Sequence, residues 1–370
     1  MGRSVVRQGS RPVFMDIKVT TTNHSTLDRL DREPLAFGNI FSDHMLIRRW
    51  HEGQWGAAEI RPRQPIPMDP TTLALHYGQT VFEGMKAYRG VSDGRLRLFR
   101  PEQNAKRLAN SCERLAIPAV ATDDFVECVK AIVRTEQAWV PRARGESLYI
   151  RPLIFATEEH IAVRAALDYL FVIVTAPVAP YFSAEAKALR LKAEPRYTRA
   201  VPGGTGFAKT AGNYAATLKP MAAAAAEGFD QILWLDANEH NYAEEAGQMN
   251  IFFRIGGEVV TPELSGTILP GVTRDSVIQL LKDWGIPVSE RKVSIAELQQ
   301  AADEGELKEM FGAGTAAVVA PIQSVEHLGR EIRVTPDPNG SLTQRLLDTI
   351  LGIQFGEVED HHGWALEVGQ

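Results

Sequence analysis

Gly203-Gly204-Thr205-Gly206-Phe207-Ala208-Lys209-Thr210 lies beyond the midpoint of the chain, and the fold turns on how it is read. It lacks only a glycine at Ala208 to be a phosphate-cradling loop, and Ile232 to Asp236 imitates the apolar run and acid that accompany such a loop. A loop of that kind has to be fed by a buried parallel strand. The residues ahead of Gly203 include Arg196, Tyr197, Thr198, Arg199 and Pro202, a poor choice for a strand buried on both faces with every N–H in the ladder. The stretch therefore reads as a glycine-rich turn opening a second domain. A lysine in such a turn is ordinarily exposed, so Lys209 needs support from elsewhere in the chain.

Working outward, 370 residues at roughly 100–200 per domain suggest two domains sharing a site. Residues 1–34 are polar and without sustained period, an arm over the surface. A first α/β domain is expected over 35–178. Residues 37–70 mix short aromatic runs with Gly and Pro, which suits strands and turns, and Leu96 to Leu98 alternates as a half-buried strand. Pro101 opens a helix reaching Leu115, with Glu102 in its first turn and Arg107 inside it. A second helix spans 123–139 with Phe125, Val129, Ile132 and Val133 as its apolar stripe. Ser147 to Ala156 and Asp168 to Ala176 read as buried strands. Pro177, Pro180, Ser183, Pro195 and Pro202 punctuate a linker over 179–202. The second domain, 203–370, holds a helix-prone alanine run at 222–226, strands at 232–235, 249–255 and 315–320, and helices at 273–286, 294–303 and 342–354.

Hydrophobic residues at 44% and charged residues at 23% fit a soluble globular chain and disfavour disordered, collagenous and coiled-coil classes. A net charge of −6 offers no overall field for nucleic acid or an anionic membrane. Cys112 and Cys128 form no CxxC, so neither a disulfide framework nor a cysteine-rich metal site is expected, and a reducing compartment fits. No window approaches the roughly 18 apolar residues of a membrane span, and Met1 to Ser10 lacks a signal core. These features point to the cytoplasm, although Arg3, Arg7 and Arg11 ahead of the first acid faintly resemble an organelle transit segment.

Support for Lys209 is spread along the chain. In order come Phe41-Ser42-Asp43-His44-Met45, Leu75-His76-Tyr77-Gly78-Gln79, and Phe82-Glu83-Gly84-Met85-Lys86-Ala87-Tyr88-Arg89. Then follow Tyr149-Ile150-Arg151-Pro152, Lys209-Thr210-Ala211-Gly212-Asn213-Tyr214, Glu245-Ala246-Gly247-Gln248-Met249-Asn250, the run from Gly266 to Arg274, and Phe311-Gly312-Ala313-Gly314-Thr315-Ala316. Together they closely resemble the branched-chain amino acid aminotransferases, pyridoxal-phosphate enzymes of fold type IV. The resemblance runs from about Phe37 to the C-terminal region.

It implies a two-domain α/β (α+β) fold with pyridoxal 5'-phosphate in the cleft between domains. Lys209 matches the catalytic Schiff-base lysine, which holds the cofactor and afterwards moves a proton at the substrate Cα. Glu245 matches the carboxylate at the ring nitrogen, and Tyr214 the tyrosine that hydrogen-bonds the phenolic oxygen. Arg107 matches the phosphate arginine, although its helical position alone suggests a solvated base. Val272 and Thr273 at a helix N-terminus would cradle the phosphate with Thr315, and Leu269 would pack on the ring face.

For substrate, the turn at Thr315 and Ala316 would offer amides to the α-carboxylate, assisted by Tyr149. Arg151, two residues on and so on the same strand face, would receive the distal carboxylate of glutamate. Phe37, Tyr77, Phe82 and Tyr181 match aromatic pocket positions, and large apolar walls suit leucine, isoleucine and valine exchanged against 2-oxoglutarate. Val163 matches a segment that reaches the partner subunit's site, implying a homodimer. No metal, nucleic acid or membrane partner is expected.

Three departures stand out. Ala211 replaces a frequent glycine and would be restricted if a positive φ were needed there. Gln248 replaces a Thr or Gly. Ala317 and Ala320 stand where some relatives carry a cysteine pair, so no thiol switch is expected. The alternatives are a D-amino acid aminotransferase, an aminodeoxychorismate lyase, an ATP-binding protein using residues 203–210, and a catalytically silent protein of the same fold.

Overall fold

The computed structural model describes residues 16–32, 35–180, 188–338 and 340–369, which build two large mixed sheets with a cleft between them. The first sheet has ten strands. At its centre Ser147–Ala156 and Tyr169–Val178 run antiparallel, in register from Ser147 opposite Val178 to Ala156 opposite Tyr169. Their apolar runs suit strands covered on both sides. On one flank lie His44–His51, Ala58–Pro62 and Ile17–Val19, and on the other Met85–Arg89, Leu96–Phe99 and Ala365–Glu367. Helices Pro101–Arg114 and Thr122–Thr135 contribute to its core, where Leu108, Cys112, Phe125, Val129 and Ile132 cluster with Leu46, Ile60 and Phe171. Each fully buried side chain of this size contributes roughly 1.5–3 kcal/mol.

The second sheet has nine strands, and part of it closes on itself. Ala243–Ala246 pairs with both Gln231–Leu235 and Met249–Ile255, completing a ring through Leu189–Ala193, Val318–His327 and Leu307–Gly314. Helices Val272–Asp283 and Leu342–Phe355 join the two domains through one apolar cluster, in which Tyr88 and Phe99 of the first sheet meet Phe252, Phe311, Leu346 and Phe355. The Phe252 and Phe311 rings stack at 5.0 Å.

Several expectations are corrected. The linker expected over 179–202 contains Leu189–Ala193, an interior strand that pairs in parallel with Gln231–Leu235 and Val318–His327. Residues 203–370 do not all stay in the second domain, because Ala365–Glu367 returns to pair with Leu96–Phe99. The described part of the N-terminal arm is not wholly featureless, since Ile17–Val19 lies parallel to Ala58–Pro62. The helix expected over 123–139 ends at Thr135 and continues as a 3-10 turn at Gln137–Trp139. Finally, Thr315 to Ala317 form a turn and the strand begins at Val318, because Gly314 pairs with Val318 and leaves the three residues to close the hairpin.

Candidate active site

Lys209 is fixed by its backbone before its side chain is considered. Its N–H donates to Ser111 Oγ at 2.8 Å, and its carbonyl accepts from Phe82 N–H at 3.0 Å. Thr210 Oγ1 donates to the Thr80 carbonyl at 2.8 Å. The turn at 203–209 is thereby stitched to strand Thr80–Phe82 of the first domain. Among the described residues no strand leads directly into Gly203, and the helix that follows, Ala211–Ala215, has only five residues, so the phosphate-loop geometry is not formed. Ala211 sits inside that helix and is not among the positive-φ residues; the place is open to a side chain.

Lys209 Nζ donates to the Tyr214 hydroxyl at 2.8 Å and stands 4.9 Å from the centre of the Phe82 ring. Burial, followed by the nearby Arg107 guanidinium, pushes its pKa down to about 8. Such an amine reaches its free-base form far more readily than an exposed lysine. Burial pushes Tyr214 up to about 12, with the Glu245 carboxylate adding to the shift, so its hydroxyl stays protonated.

Two buried ion pairs flank the amine. Glu245 is 3% exposed; its Oε2 lies 2.6 Å from Arg199 Nε, and its Oε1 accepts from Leu269 N–H at 2.8 Å. Burial raises its pKa, opposed chiefly by Arg199. Arg107 grips Glu83 with Nε at 2.7 Å and Nη2 at 2.8 Å, and its Nη1 reaches the Pro270 carbonyl at 3.2 Å. Burial alone would raise the Glu83 pKa, but Arg107, Lys209 and Asn104 together hold it below the usual carboxylate range. Arg107 is therefore a buried, paired cation rather than the solvated base its helical position suggests.

Pro270 and Gly271 lead into Val272–Asp283, whose first turn has no side-chain cap and opens on the cleft through Val272 and Thr273. Free amides and the helix dipole there favour an anion. A Cβ at Gly271 would come within 2.0 Å of Asn250 Oδ1. Gly84 is required for the same reason: a Cβ would meet the Tyr149 hydroxyl at 2.2 Å.

The cleft has a volume of about 860 Å3. Phe37, Phe82, Tyr149, Arg151, Lys209, Tyr214, Leu269, Val272, Thr273, Thr315 and Ala316 all line it; Glu245 adjoins it through the Leu269 amide, and Arg107 bonds the Pro270 carbonyl between the lining residues Leu269 and Gly271. Tyr149 and Arg151 share one strand face as expected, with Arg151 Nη2 donating to the Tyr149 hydroxyl at 2.9 Å. Gln248 lies on the cleft wall, exposed.

Tyr77 is the correction: it does not line the cleft of this chain, is 42% exposed and donates to the Ile161 carbonyl at 2.6 Å, because helix Leu73–Tyr77 packs by Leu73 and leaves Tyr77 outside. Val163, expected at a partner subunit's site, is 82% exposed and lies outside this chain's own cleft. Tyr181 lies outside the described residues.

The sequence by itself gives no role to Glu83, Lys86 or Arg199. Glu83 and Lys86 lie within a quoted motif, which marked the segment without saying which side chains face inward. Arg199 comes from a proline-punctuated stretch with no period to place it.

An amine, a phenol, a buried carboxylate and an uncapped helix N-terminus converge on one cavity. That donor set fits a ring bearing a nitrogen, a phenolic oxygen and a phosphate.

Residues 80–325 match the model of the family described as amino-transferase class IV. The branched-chain-amino-acid transaminase 1 of Bacillus subtilis is 48% identical over 92% of this chain and 96% of its own length. Among solved structures, a branched-chain amino acid aminotransferase from Escherichia coli matches 87% of this chain and 99% of its own, at 28% identity and a TM-score of 0.69. The T.th. branched-chain amino acid aminotransferase with pyridoxamine 5'-phosphate matches 88% of this chain and 98% of its own, at 29% identity and a TM-score of 0.72.

Proposed function

The chain belongs to the class IV aminotransferases, within them to the branched-chain group, and from that premise we propose how its own residues divide the work of reversible amino transfer between L-leucine, L-isoleucine or L-valine and 2-oxoglutarate. The observation that carries the reading is the Lys209–Tyr214 hydrogen bond in a cleft lined by the uncapped helix at Val272 and by Leu269, whose amide Glu245 holds from behind.

Pyridoxal phosphate, the family's cofactor, supplies when bound an electron sink for the charge left on the substrate Cα. Lys209 would tether it and, once freed by the incoming amine, move the proton at that carbon; an amine with a pKa near 8 suits the task around neutral pH. Glu245, steadied by Arg199 and the Leu269 amide, would hold a proton at the ring nitrogen. Tyr214 would donate to the phenolic oxygen. Val272, Thr273, Thr315 and Arg107 would hold the phosphate, the helix dipole adding to the donors.

Amides at Thr315 and Ala316 would receive the α-carboxylate. Phe37, Phe82 and Tyr149 form apolar walls suited to a branched side chain, and Arg151 would take the distal carboxylate of glutamate. Leu75, Tyr77, Ile161, Val163 and Leu167 are large apolar side chains left exposed on two segments joined by the Tyr77–Ile161 hydrogen bond, which supports a homodimer through this face. Among the described residues no helix is long and apolar enough to cross a membrane. The unpaired thiols of Cys112 and Cys128 support a cytoplasmic home.

The test is the visible absorbance of the purified, cofactor-loaded protein. Adding L-leucine should bleach the cofactor band and 2-oxoglutarate should restore it. A band that L-leucine leaves unmoved would refute the substrate assignment.

A further inference from the structure

Beside Glu245 on the strand Ala243–Ala246 stands a second buried acid, Glu244, 6% exposed. Thr267 Oγ1 donates to its Oε1 at 2.5 Å, while its Oε2 is buried without a partner among the described residues. The Thr267 carbonyl accepts from Arg199 Nη1 at 2.8 Å, and two residues on the Leu269 N–H donates to Glu245. The segment 267–269 therefore ties both acids and Arg199 into one buried cluster.

Two carboxylates facing one guanidinium leave a surplus negative charge. Glu245 is the better place for the charge that Arg199 balances, since it has Arg199 Nε at 2.6 Å and an amide besides. At Glu244 a charge would rest partly on an oxygen with no donor, which is costly in a buried site. Burial, with the Glu245 and Asp236 carboxylates adding to it, pushes the Glu244 pKa up to about 7 against the Thr267 hydroxyl and Arg199. Asp236, just beyond the strand Gln231–Leu235, is held below the usual carboxylate range by backbone N–H groups that outweigh its burial. Of the adjoining segments, 292–294 brings Lys292, turned over the Tyr242 ring at 4.9 Å, and the loop of Thr267 brings Glu263, which is exposed.

We propose that Glu244 is a positioning residue for the cofactor's ring nitrogen: neutral while the cleft holds no cofactor, it leaves Arg199 to Glu245, and it ionises when Glu245 takes a protonated ring nitrogen, its O–H bond breaking and the proton passing to solvent. This rests on the reading that Glu245 holds that nitrogen. The cluster goes from one charge of each sign to two of each, so the arriving cation is balanced. The ionised Glu244 in turn raises the proton affinity of Glu245 and the ring nitrogen together, which keeps the ring protonated.

The test is calorimetry of the apoenzyme with pyridoxamine 5'-phosphate, which binds without the Lys209 linkage, at pH 6.5 in two buffers of different ionisation enthalpy. The wild type is expected to release about half a proton more than Glu244→Gln, because about three-quarters of the chains carry the Glu244 proton at that pH and few do once the ring nitrogen is held. The phosphate's own proton exchange is common to both proteins and cancels. Equal release would overturn the proposal. The apoenzyme gives a second readout. Folding raises the Glu244 pKa from about 4.5 to about 7, so this acid makes stability fall as pH rises through that window, and the urea midpoint of Glu244→Gln relative to the wild type should climb between pH 5 and 8. A difference that does not move with pH, as a merely structural side chain would give, overturns the proposal too. Glu245→Gln separates the two readings. Pyridoxamine 5'-phosphate weakened about tenfold or more there, with equal proton release in the first comparison, overturns the role of Glu244 alone; unchanged affinity overturns the ring-nitrogen reading with it. Should Glu244→Gln not fold, infrared difference spectra of the wild type decide: loss of a protonated-carboxyl band as pyridoxamine 5'-phosphate binds supports the proposal, and no such loss overturns it.

Discussion

Replacing Arg151 with methionine should separate the two kinds of amino donor. The guanidinium is held by the Tyr149 hydroxyl at 2.9 Å and lies 4.8 Å from the Phe82 ring centre and 5.2 Å from that of Tyr149. Its Nε is buried without a partner among the described residues. Aromatic faces and one hydroxyl position the group, so its charge is left for a carboxylate that arrives with the ligand. A hydrogen bond to a charged group contributes about 1.5–3 kcal/mol, and at about 1.4 kcal/mol per decade its loss lowers kcat/KM for L-glutamate and 2-oxoglutarate roughly 10- to 150-fold. Methionine keeps most of the apolar stem, so leucine should lose less than about threefold. Steady-state kcat/KM for each donor measures the ratio. Parallel losses for glutamate and leucine would refute the assignment.

Lys209→Ala removes both tether and base and should reduce turnover to background in a coupled glutamate assay; wild-type-like turnover would dismiss the mechanism. In the apoenzyme, the unfolded chain binds the Lys209 proton up to about pH 10.5 whereas the folded chain releases it near 8, so this lysine makes stability rise with pH across that window, by at most about 1.4 kcal/mol per unit. Urea titrations at pH 8 and 10 should therefore differ less in Lys209→Met than in the wild type, and an equal difference would contradict the burial argument. Val163→Glu places a charge in the exposed apolar group and should shift light-scattering mass toward the monomer; an unchanged dimer would move the interface elsewhere. Phe252→Ala empties a fully buried ring from the cluster joining the domains and should cost about 3–5 kcal/mol by denaturant unfolding, against little cost if the stack with Phe311 is slack.

What could be read from the chain depended on how local the signal was. The helix Pro101–Arg114 announces itself by proline at its first position and Glu102 in its first turn, and the strand Ser147–Ala156 by ten residues rich in apolar and β-branched types. Leu189–Ala193 also carries a period-2 signal, with Arg190 and Lys192 alternating against Leu189, Leu191 and Ala193, but the prolines on either side outweighed five residues. Ala365–Glu367 has three residues and a partner more than 260 positions away, which no local pattern encodes. At Thr315–Ala317 the composition favours a strand, and the hairpin is forced by the pairing of Gly314 with Val318.

The candidate site divides along the same line. Arg107 was legible as a position and not as a charge, since what it does depends on Glu83, 24 residues back and on another element. With Glu83 accepting from Nε and Nη2, the pair is close to electrically neutral, and of five guanidinium protons one more goes to Pro270. Two protons remain for a phosphate, so under the proposed role Arg107 would serve there as an aimed donor more than as a net cation. The greater part of a phosphate's charge would then fall to the uncapped amides and dipole of Val272–Asp283. Glu83 has a second effect, because it offsets at Lys209 the repulsion that a bare Arg107 would exert. An unpaired arginine at 107 would push the lysine's pKa still lower and weaken its proposed use as a carrier of the Cα proton; with the buried acid in place, phosphate recognition and proton transfer would be electrostatically separable within one small cleft.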